Sequence, residues 1–165
     1  MKPKVIFLDF DGVLTSARIH VAYGGGDIWR VFDPAAIRFL SSLSDVEFVI
    51  SSTWRLLFER QDFIHMFAAA GWNVNLHQIW CTPHPSTISI TDENQALGSR
   101  AREILAWIEN HLGERDFIVI DDDRGTFPAD WKVVQTDPAE GMLWQHYGDV
   151  SALLTKGRIF NRRGR

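Results

Sequence analysis

Short apolar runs alternate with longer segments in which apolar residues recur at helical spacing. The runs near residues 4–9, 46–50, 78–81, 116–121 and 131–135 predict strands of the kind that is buried in a parallel sheet. Helices are predicted between them, over residues 34–43, 55–70 and 95–112. This alternation predicts an α/β domain with a doubly wound, Rossmann-like, mainly parallel sheet of about five strands, helices on both faces and right-handed crossovers.

Capping residues support the helix boundaries. Asp33 and Pro34 are an N-cap and a first-turn proline, while Gly71 and Gly113 are typical of residues just past a helix end. The segment 81–92 is rich in proline, serine and threonine and is predicted to be a loop or small hairpin.

Two of the predicted strands end in acidic residues. Asp9 and Asp11 follow the first strand, and because side chains at i and i+2 of a strand point the same way, their carboxylates are expected to converge. The fourth strand runs into Asp121, Asp122 and Asp123. In a doubly wound sheet, ligands bind at the carboxyl ends of the strands, which is where both acidic clusters lie.

Such a cluster needs a cation. Two carboxylates about 4 Å apart repel each other by roughly 4 kcal/mol at an effective dielectric constant near 20. Asp9, Asp11 and Asp122, with Asp121 as an alternative ligand or a neighbour of the ligands, are therefore the candidate metal-binding residues. A set of ligands made of oxygen atoms alone suits Mg²⁺ best.

Length and composition favour a single soluble domain. The 165 residues, 45% of them apolar, are read as one domain over residues 1–157 followed by a basic tail at 158–165. No apolar run approaches the roughly 20 residues that cross a bilayer. The chain enters the first strand directly from its start, and Cys81 is its only cysteine, so we expect a cytoplasmic protein without membrane partners or disulfides.

Three sequence motifs around these strand ends resemble those of the haloacid dehalogenase (HAD) superfamily of aspartate-dependent phosphohydrolases. The first is the run from Asp9 through Gly12 to Thr15, the second is the strand ending at Ser51, and the fourth is the strand ending at Asp121 and Asp122. The family's third motif, a basic residue that is most often lysine, corresponds here to Arg100 or Arg102. Arg100 is preferred because it lies four residues before Ile104.

The resemblance implies a chemistry for these residues. Asp9 would attack phosphorus and form an aspartyl-phosphate, and Asp11 would protonate the leaving group and later deprotonate water. Ser51 and Arg100 would hold the phosphoryl oxygens together with backbone amides near Gly12. Mg²⁺ would be held by Asp9, the backbone carbonyl of residue 11 and a fourth-motif acid, assigned to Asp122 with Asp121 as a neighbour of the ligands or the alternative ligand.

Within the superfamily, the chain is most similar to HAD domains of nucleic-acid (RNA) repair proteins and of polynucleotide kinase-phosphatases, which have no cap domain. The similarity lies in the segments 51–55, 121–124 and 137–141. It adds Ser52, Arg55 and Arg124 as candidate substrate contacts, although Ser52 is equally compatible with a helix N-cap and the two arginines with surface ion pairs. Asp123 is expected to cap a loop. Trp29, Trp54 and Trp80 are expected in the core or at its rim, with base stacking as the alternative.

The expected substrate is a phosphate on a nucleic-acid end or a nucleotide. Neither the interval of about 35 residues after Asp11 nor the segment 53–100 is long enough for a full cap domain, and an open cleft admits bulky substrates. The net charge of −4 argues against tight binding of a duplex. The alternatives are a phosphatase of small metabolites or phosphoproteins and a binding module without catalysis.

Overall fold

Five parallel strands form one open sheet with the order β3-β2-β1-β4-β5. They are β1 (Lys4–Leu8), β2 (Val46–Ile50), β3 (Leu76–Cys81), β4 (Phe117–Asp121) and β5 (Val133–Gln135). The computed structural model describes residues 4–23, 32–113, 115–123 and 127–155. Trp29, Arg124 and the tail at 158–165 lie outside these ranges. The predicted doubly wound fold and its five strands are confirmed.

Five α-helices are described: α1 (Ala17–Ala22), α2 (Pro34–Ser41), α3 (Arg60–Ala69), α4 (Ser99–Trp107) and α5 (Trp144–Thr155). Asp33 caps α2, its carboxylate accepting a hydrogen bond from the N–H of Ala35 at 2.8 Å. Gly71 (φ 85°) and Gly113 (φ 63°) adopt the left-handed backbone beyond helical segments, as the sequence predicts.

The side chains of β1 divide between two apolar layers. Ile6 and Leu8 are buried in the cluster that includes α2 and α3 residues, whereas Val5 and Phe7 are buried with Ile104 and Trp107 of α4. Alternate positions of a strand therefore contact helices on opposite faces of the sheet, as expected of a doubly wound architecture. By the same alternation, Asp9 continues the row that faces α4.

Two predicted helices differ from those observed. The segment 55–70 is divided into a 3₁₀ turn at Thr53–Leu56 and α3, because the Asp62 carboxylate accepts the N–H of Glu59 at 2.9 Å and starts a new helix there. The helix predicted from residue 95 begins only at Ser99 and ends in a π turn at Ile108–Leu112. Helices α1 and α5 were not predicted, since neither segment shows a clear apolar period.

Candidate active site

The carboxyl ends of β1, β2 and β4 meet at the centre of one edge of the sheet. Leu8 pairs with Ile50 on one side and with Ile120 on the other, so the three strands end at the same level. The backbone continues the ladder for one more residue: Asp9 N–H donates to Ile120 O and Ser51 N–H donates to Leu8 O, both at 3.0 Å. The register therefore brings the first, second and fourth motifs together.

Phe10 anchors the segment that carries the two aspartates of the first motif. Its ring is fully buried and makes edge-to-face contacts with Phe32, Trp54, Phe63 and Phe67 at centroid distances of 5.3 to 5.6 Å. Its carbonyl accepts hydrogen bonds from the N–H groups of Val13, Leu14 and Thr15. With Phe10 held in the core, the loop that follows β1 has a fixed origin.

Three carboxylates form the acidic group at this edge. Asp9, Asp121 and Asp122 each offer an oxygen atom, and these atoms lie within 4.8 Å of one another. Asp9 is 4% exposed and Asp121 is fully buried. Asp121 and Asp122 thus both lie close enough to Asp9 to share a metal ion with it. Asp123 contributes its backbone N–H, which donates to Asp121 Oδ1 at 2.9 Å.

Burial and mutual repulsion raise the pKa values of these carboxyls. Burial, followed by the charge of Asp9, raises the pKa of Asp121 to about 7, and the nearby Arg100 guanidinium opposes the shift. Burial likewise raises the pKa values of Asp9 and Asp122. Asp121 Oδ2 is also buried: it lies 3.2 Å from Arg100 Nε as an ion-pair partner but makes no well-directed hydrogen bond with the described residues. The arrangement fits a hard divalent cation such as Mg²⁺, which would relieve the repulsion and fill the coordination of that oxygen.

Asp11 lies outside this group of three. Its Oδ1 accepts a hydrogen bond from the Thr15 hydroxyl at 3.2 Å, and its Oδ2 accepts one from the indole N–H of Trp54 at 3.0 Å. The side chain is exposed to solvent. The geometry is thus that of a carboxyl held at the mouth of the site, apart from the three carboxylates that converge.

Arg100 reaches the acidic group from α4. Its Nη2 lies 3.4 Å from Asp9 Oδ1, and its Nε lies 3.2 Å from Asp121 Oδ2. Arg100 precedes the buried Ile104 by four residues and so shares the helix face that packs on the sheet. Arg102 instead donates to the carbonyl of Leu97. Of the two arginines considered from sequence, Arg100 is therefore the one that lies at the carboxylates.

Two serines follow β2. Ser51 is fully buried, and its hydroxyl makes no hydrogen bond with the described residues, as expected of a group whose partner is a ligand. Ser52 caps the 3₁₀ turn by accepting the N–H of Trp54 at 3.4 Å, and its side chain also hydrogen-bonds to Asp9, which partly opposes the rise that burial causes in the pKa of that carboxyl. Ser52 thus acts as an N-cap that also contacts the first motif.

Arg55 differs from its sequence interpretation. Its side chain is 1% exposed, which rules out a surface ion pair. Its donors are engaged with the carbonyls of Ser51, Ser52, Thr82 and Pro83 and, at 2.8 Å, with the carboxylate of Glu103. All five N–H groups of a guanidinium are accounted for by these contacts, so none is left for a substrate phosphate.

Sequence reasoning did not find Glu103. This buried carboxylate binds Arg55 through Oε2, lies 3.6 Å from Nη1 of Arg100 through the same oxygen, and accepts the Ser99 hydroxyl through Oε1 at 3.2 Å. It joins two arginines behind the acidic group. The i, i+3 spacing from Arg100 on α4 was the available signal, but such pairs are common on exposed helix faces.

Gly12 belongs to the site for a steric reason. Its φ is 70°, and a Cβ atom built there would lie 2.2 Å from Asp122 Oδ2. Its carbonyl accepts the hydroxyl of Thr136 at 2.7 Å, and the Thr136 N–H donates to Asp121 O at 3.1 Å. Only glycine lets the first-motif loop pass this close to the fourth-motif acid.

Of Trp29, Trp54 and Trp80, the two that the structure describes are core and rim residues, which is the location that the sequence predicts. Trp54 is 3% exposed, and Trp80 is half-buried against Phe63 with a ring-centroid distance of 5.3 Å. No helix among the described residues is long and apolar enough to cross a membrane.

Comparison with known proteins agrees with the geometry. A search of curated proteins and a search of solved structures each found no match. The family model of the HAD domain in Swiss Army Knife RNA repair proteins matches residues 5–147, a range that contains all five strands except for Lys4 and every motif described above. The resemblance to HAD domains of RNA repair proteins is confirmed, and the chain belongs to this family, for which phosphatase-type activity is the expected chemistry.

Proposed function

We propose that the chain is a Mg²⁺-dependent phosphomonoesterase that removes a phosphate from an RNA end or a nucleotide through an aspartyl-phosphate on Asp9. The observation that carries this proposal is the meeting of three carboxylates, two of them buried, with one arginine and a serine hydroxyl that has no hydrogen-bond partner among the described residues, all at one edge of the sheet. An anionic phosphate matches the arginine and the hydroxyl, and a cation matches the carboxylates.

Asp9 is the nucleophile in this mechanism. Its carboxylate oxygen forms a bond to phosphorus as the bond from phosphorus to the ester oxygen breaks, and the leaving oxygen takes a proton from Asp11. Asp11 then accepts a proton from water, whose oxygen attacks the aspartyl-phosphate and releases inorganic phosphate together with the regenerated Asp9. The indole of Trp54 and the hydroxyl of Thr15 orient Asp11 through both steps.

The other residues bind and orient the phosphate. Arg100 would balance the charge of the phosphoryl oxygens, since it already lies 3.4 Å from the nucleophile, and the buried hydroxyl of Ser51 would donate to one of those oxygens. Asp9, Asp122 and Asp121 would hold Mg²⁺, which would neutralise the nucleophile and the incoming phosphate.

Two features support an RNA end or a nucleotide as the substrate. The matched family occurs in RNA repair proteins. The segments that could carry a cap are short: the described parts of the interval after Asp11 contain α1 and α2, and residues 53–98 contain α3, β3 and short turns. An edge of the sheet without a domain-sized cover admits a polynucleotide terminus.

The first experiment tests the nucleophile. Asp9→Asn is expected to abolish hydrolysis of an aryl phosphate in Mg²⁺ while leaving the thermal melt intact or raised, because it removes one of the repelling charges. Asp123→Asn is the matched control: it changes a neighbouring acid outside the group of three and is expected to keep most of the activity. Unchanged turnover in Asp9→Asn would end the assignment of the nucleophile.

The second experiment tests the substrate class. The unmutated chain is assayed against oligoribonucleotides phosphorylated at the 3′ or the 5′ end, their deoxy counterparts, mononucleotides and sugar phosphates. We expect an RNA end or a nucleotide to give the highest kcat/KM. Sugar phosphates as the best substrates would overturn the RNA proposal and favour a small-metabolite phosphatase.

A further inference from the structure

Three carboxylates surround the guanidinium of Arg100, one at each of its nitrogen atoms. Nη2 lies 3.4 Å from Asp9 Oδ1, Nε lies 3.2 Å from Asp121 Oδ2, and Nη1 lies 3.6 Å from Glu103 Oε2. These contacts are long, since charge-assisted N–H···O bonds usually measure about 2.7–2.9 Å. The Arg100 side chain is also 15% exposed. The guanidinium is therefore held in direction, while its N–H groups remain available to a ligand.

Glu103 differs from the other two carboxylates because it lies outside the acidic group. Asp9 and Asp121 belong to the three carboxylates that converge, whereas Glu103 does not. A cation bound at the acidic group would compete with Arg100 for the charge of Asp9 and Asp121. The contact between Glu103 and Arg100 does not depend on that charge. Of the three carboxylates, Glu103 is thus the one that can anchor Arg100 with or without a metal.

A buried arginine fixes the position of Glu103. Arg55 Nη2 lies 2.8 Å from Glu103 Oε2, and the two side chains are 1% and 6% exposed. Arg55 is in turn bound to four backbone carbonyls at the ends of β2 and β3. The other oxygen of Glu103, Oε1, accepts the hydroxyl of Ser99 at 3.2 Å. Because both oxygens are engaged, the carboxylate has one defined orientation toward Arg100.

Prior orientation of Arg100 is what a phosphate would gain from this contact. A long, flexible arginine side chain loses conformational freedom when it is fixed against a ligand. A carboxylate that holds the guanidinium in place beforehand reduces this loss. The negative charge of Glu103 by itself would repel a phosphate, but it is paired with Arg55. The useful contribution of Glu103 to a phosphate site is therefore orientation rather than charge.

We propose that Glu103 is a positioning residue, which holds the Arg100 guanidinium toward a phosphoryl group at Asp9. The proposal rests on the proposed function, because that function places the phosphate there. Glu103 itself touches neither the phosphate nor the reacting atoms and acts through Arg100. Its buried pair with Arg55 links this orientation to the backbone that follows β2 and carries Ser51.

The test is a double-mutant cycle on the binding of inorganic phosphate, measured by calorimetry in Mg²⁺. Glu103→Asp keeps the charge, whose removal would by itself favour an anion, but shortens the side chain by one methylene. Its carboxylate can then no longer remain at both guanidinium groups. We expect the Kd for phosphate to rise about tenfold, within the range of coupling measured between residues of one charged network. In an Arg100→Ala background, the same substitution should leave the Kd within about twofold, because the effect passes through Arg100.

Two further variants complete the design. Ser99→Ala keeps the test decisive if Glu103→Asp does not fold: at an exposed position, it removes the hydroxyl that binds Oε1. It should raise the Kd about threefold, again only when Arg100 is present. The matched control is Glu47→Asp, which shortens a carboxylate of β2 that lies 2.6 Å from Arg115, far from the acidic group. It is expected to leave the Kd unchanged.

The outcomes separate this role from the proposed function. A Kd that is unchanged or lower in Glu103→Asp, or an equal rise with and without Arg100, overturns the positioning role, and so does a lack of phosphate binding by the unmutated chain. Hydrolysis of an aryl phosphate without the coupling rejects the role of Glu103 and leaves the phosphatase in place. Coupled phosphate binding without hydrolysis of any phosphomonoester supports the role and rejects the phosphatase.

Discussion

Replacement of Gly12 by alanine should remove the metal site while leaving the fold in place. Alanine at φ 70° pays about 1–2 kcal/mol for the left-handed backbone. In addition, its Cβ would lie 2.2 Å from Asp122 Oδ2, so the carboxylate has to move by roughly 1 Å to reach ordinary van der Waals separation. Displacement on that scale is enough to spoil a coordination geometry as strict as that of Mg²⁺.

The assay is the shift of the thermal melt on addition of Mg²⁺. A ligand present at 100 times its Kd stabilises the native state by about 2.7 kcal/mol. In a chain of this size, each kcal/mol corresponds to about 2–4 °C. The unmutated protein should therefore gain roughly 5–10 °C at that concentration, and Gly12→Ala should gain almost nothing.

Gly71→Ala separates the two effects. Gly71 has φ 85°, so alanine there has a similar cost in backbone conformational energy, but nothing lies within 4 Å of the added Cβ. Both variants should melt lower than the unmutated chain without metal, and only Gly71→Ala should keep the full Mg²⁺ shift. A full shift in Gly12→Ala, or a lost shift in Gly71→Ala, would refute the reasoning about Asp122.

Three further predictions concern the charged groups. Arg100→Ala should lower both substrate affinity and turnover on an aryl phosphate, because its side chain lies at the carboxylates. Arg102→Ala, whose side chain binds the Leu97 carbonyl instead, should leave both within about twofold. Steady-state kinetics in which only Arg102→Ala is impaired would contradict the assignment. Burial and the charge of Asp9 raise the pKa of Asp121 from 3.8 to about 7. Between these two values the metal-free folded protein keeps a proton that the unfolded chain releases. The free energy of unfolding therefore falls as the pH rises from about 4 to 7. Asp121→Asn should flatten the decline of the metal-free melt over that range, and an unchanged slope would count against the shift. Glu103→Gln should lower the free energy of unfolding, measured in urea, by about 3–5 kcal/mol, because Arg55 would be left buried without its counter-charge. A loss below about 1 kcal/mol would show that the backbone carbonyls around the guanidinium are enough to stabilise its buried charge.

Much of the site could be predicted from the sequence because its residues follow buried strands. A short apolar run identifies a strand, the alternation of side chains fixes which residues share a direction, and parallel strands bring their carboxyl ends to one edge. These rules are local or depend only on fold class. They were sufficient to nominate Asp9, Asp121 and Asp122, whereas Ser51 was nominated by the resemblance to the HAD superfamily.

Residues that follow the strands in turns were harder to assign. Ser52 and Arg55 lie within four residues of Ser51, yet one contacts Asp9 and the other is turned inward toward Glu103 on a distant helix. Neither strand alternation nor helical spacing applies across a 3₁₀ turn. Their directions depend on which neighbours can satisfy buried donors, and those neighbours come from remote parts of the chain.

The α/β architecture, the strand ends and the carboxylates placed there could be predicted without coordinates, because they follow from apolar periodicity and the geometry of a strand. The tertiary structure was needed to show that Trp54 holds Asp11 and that Gly12 makes room for Asp122, and it placed Arg100, which helical spacing already favoured, at Asp9. Each of these depends on the direction of a side chain, or the space for one, between segments far apart in the chain. Such contacts are fixed by packing and by the need to pair buried charges, which no local pattern encodes.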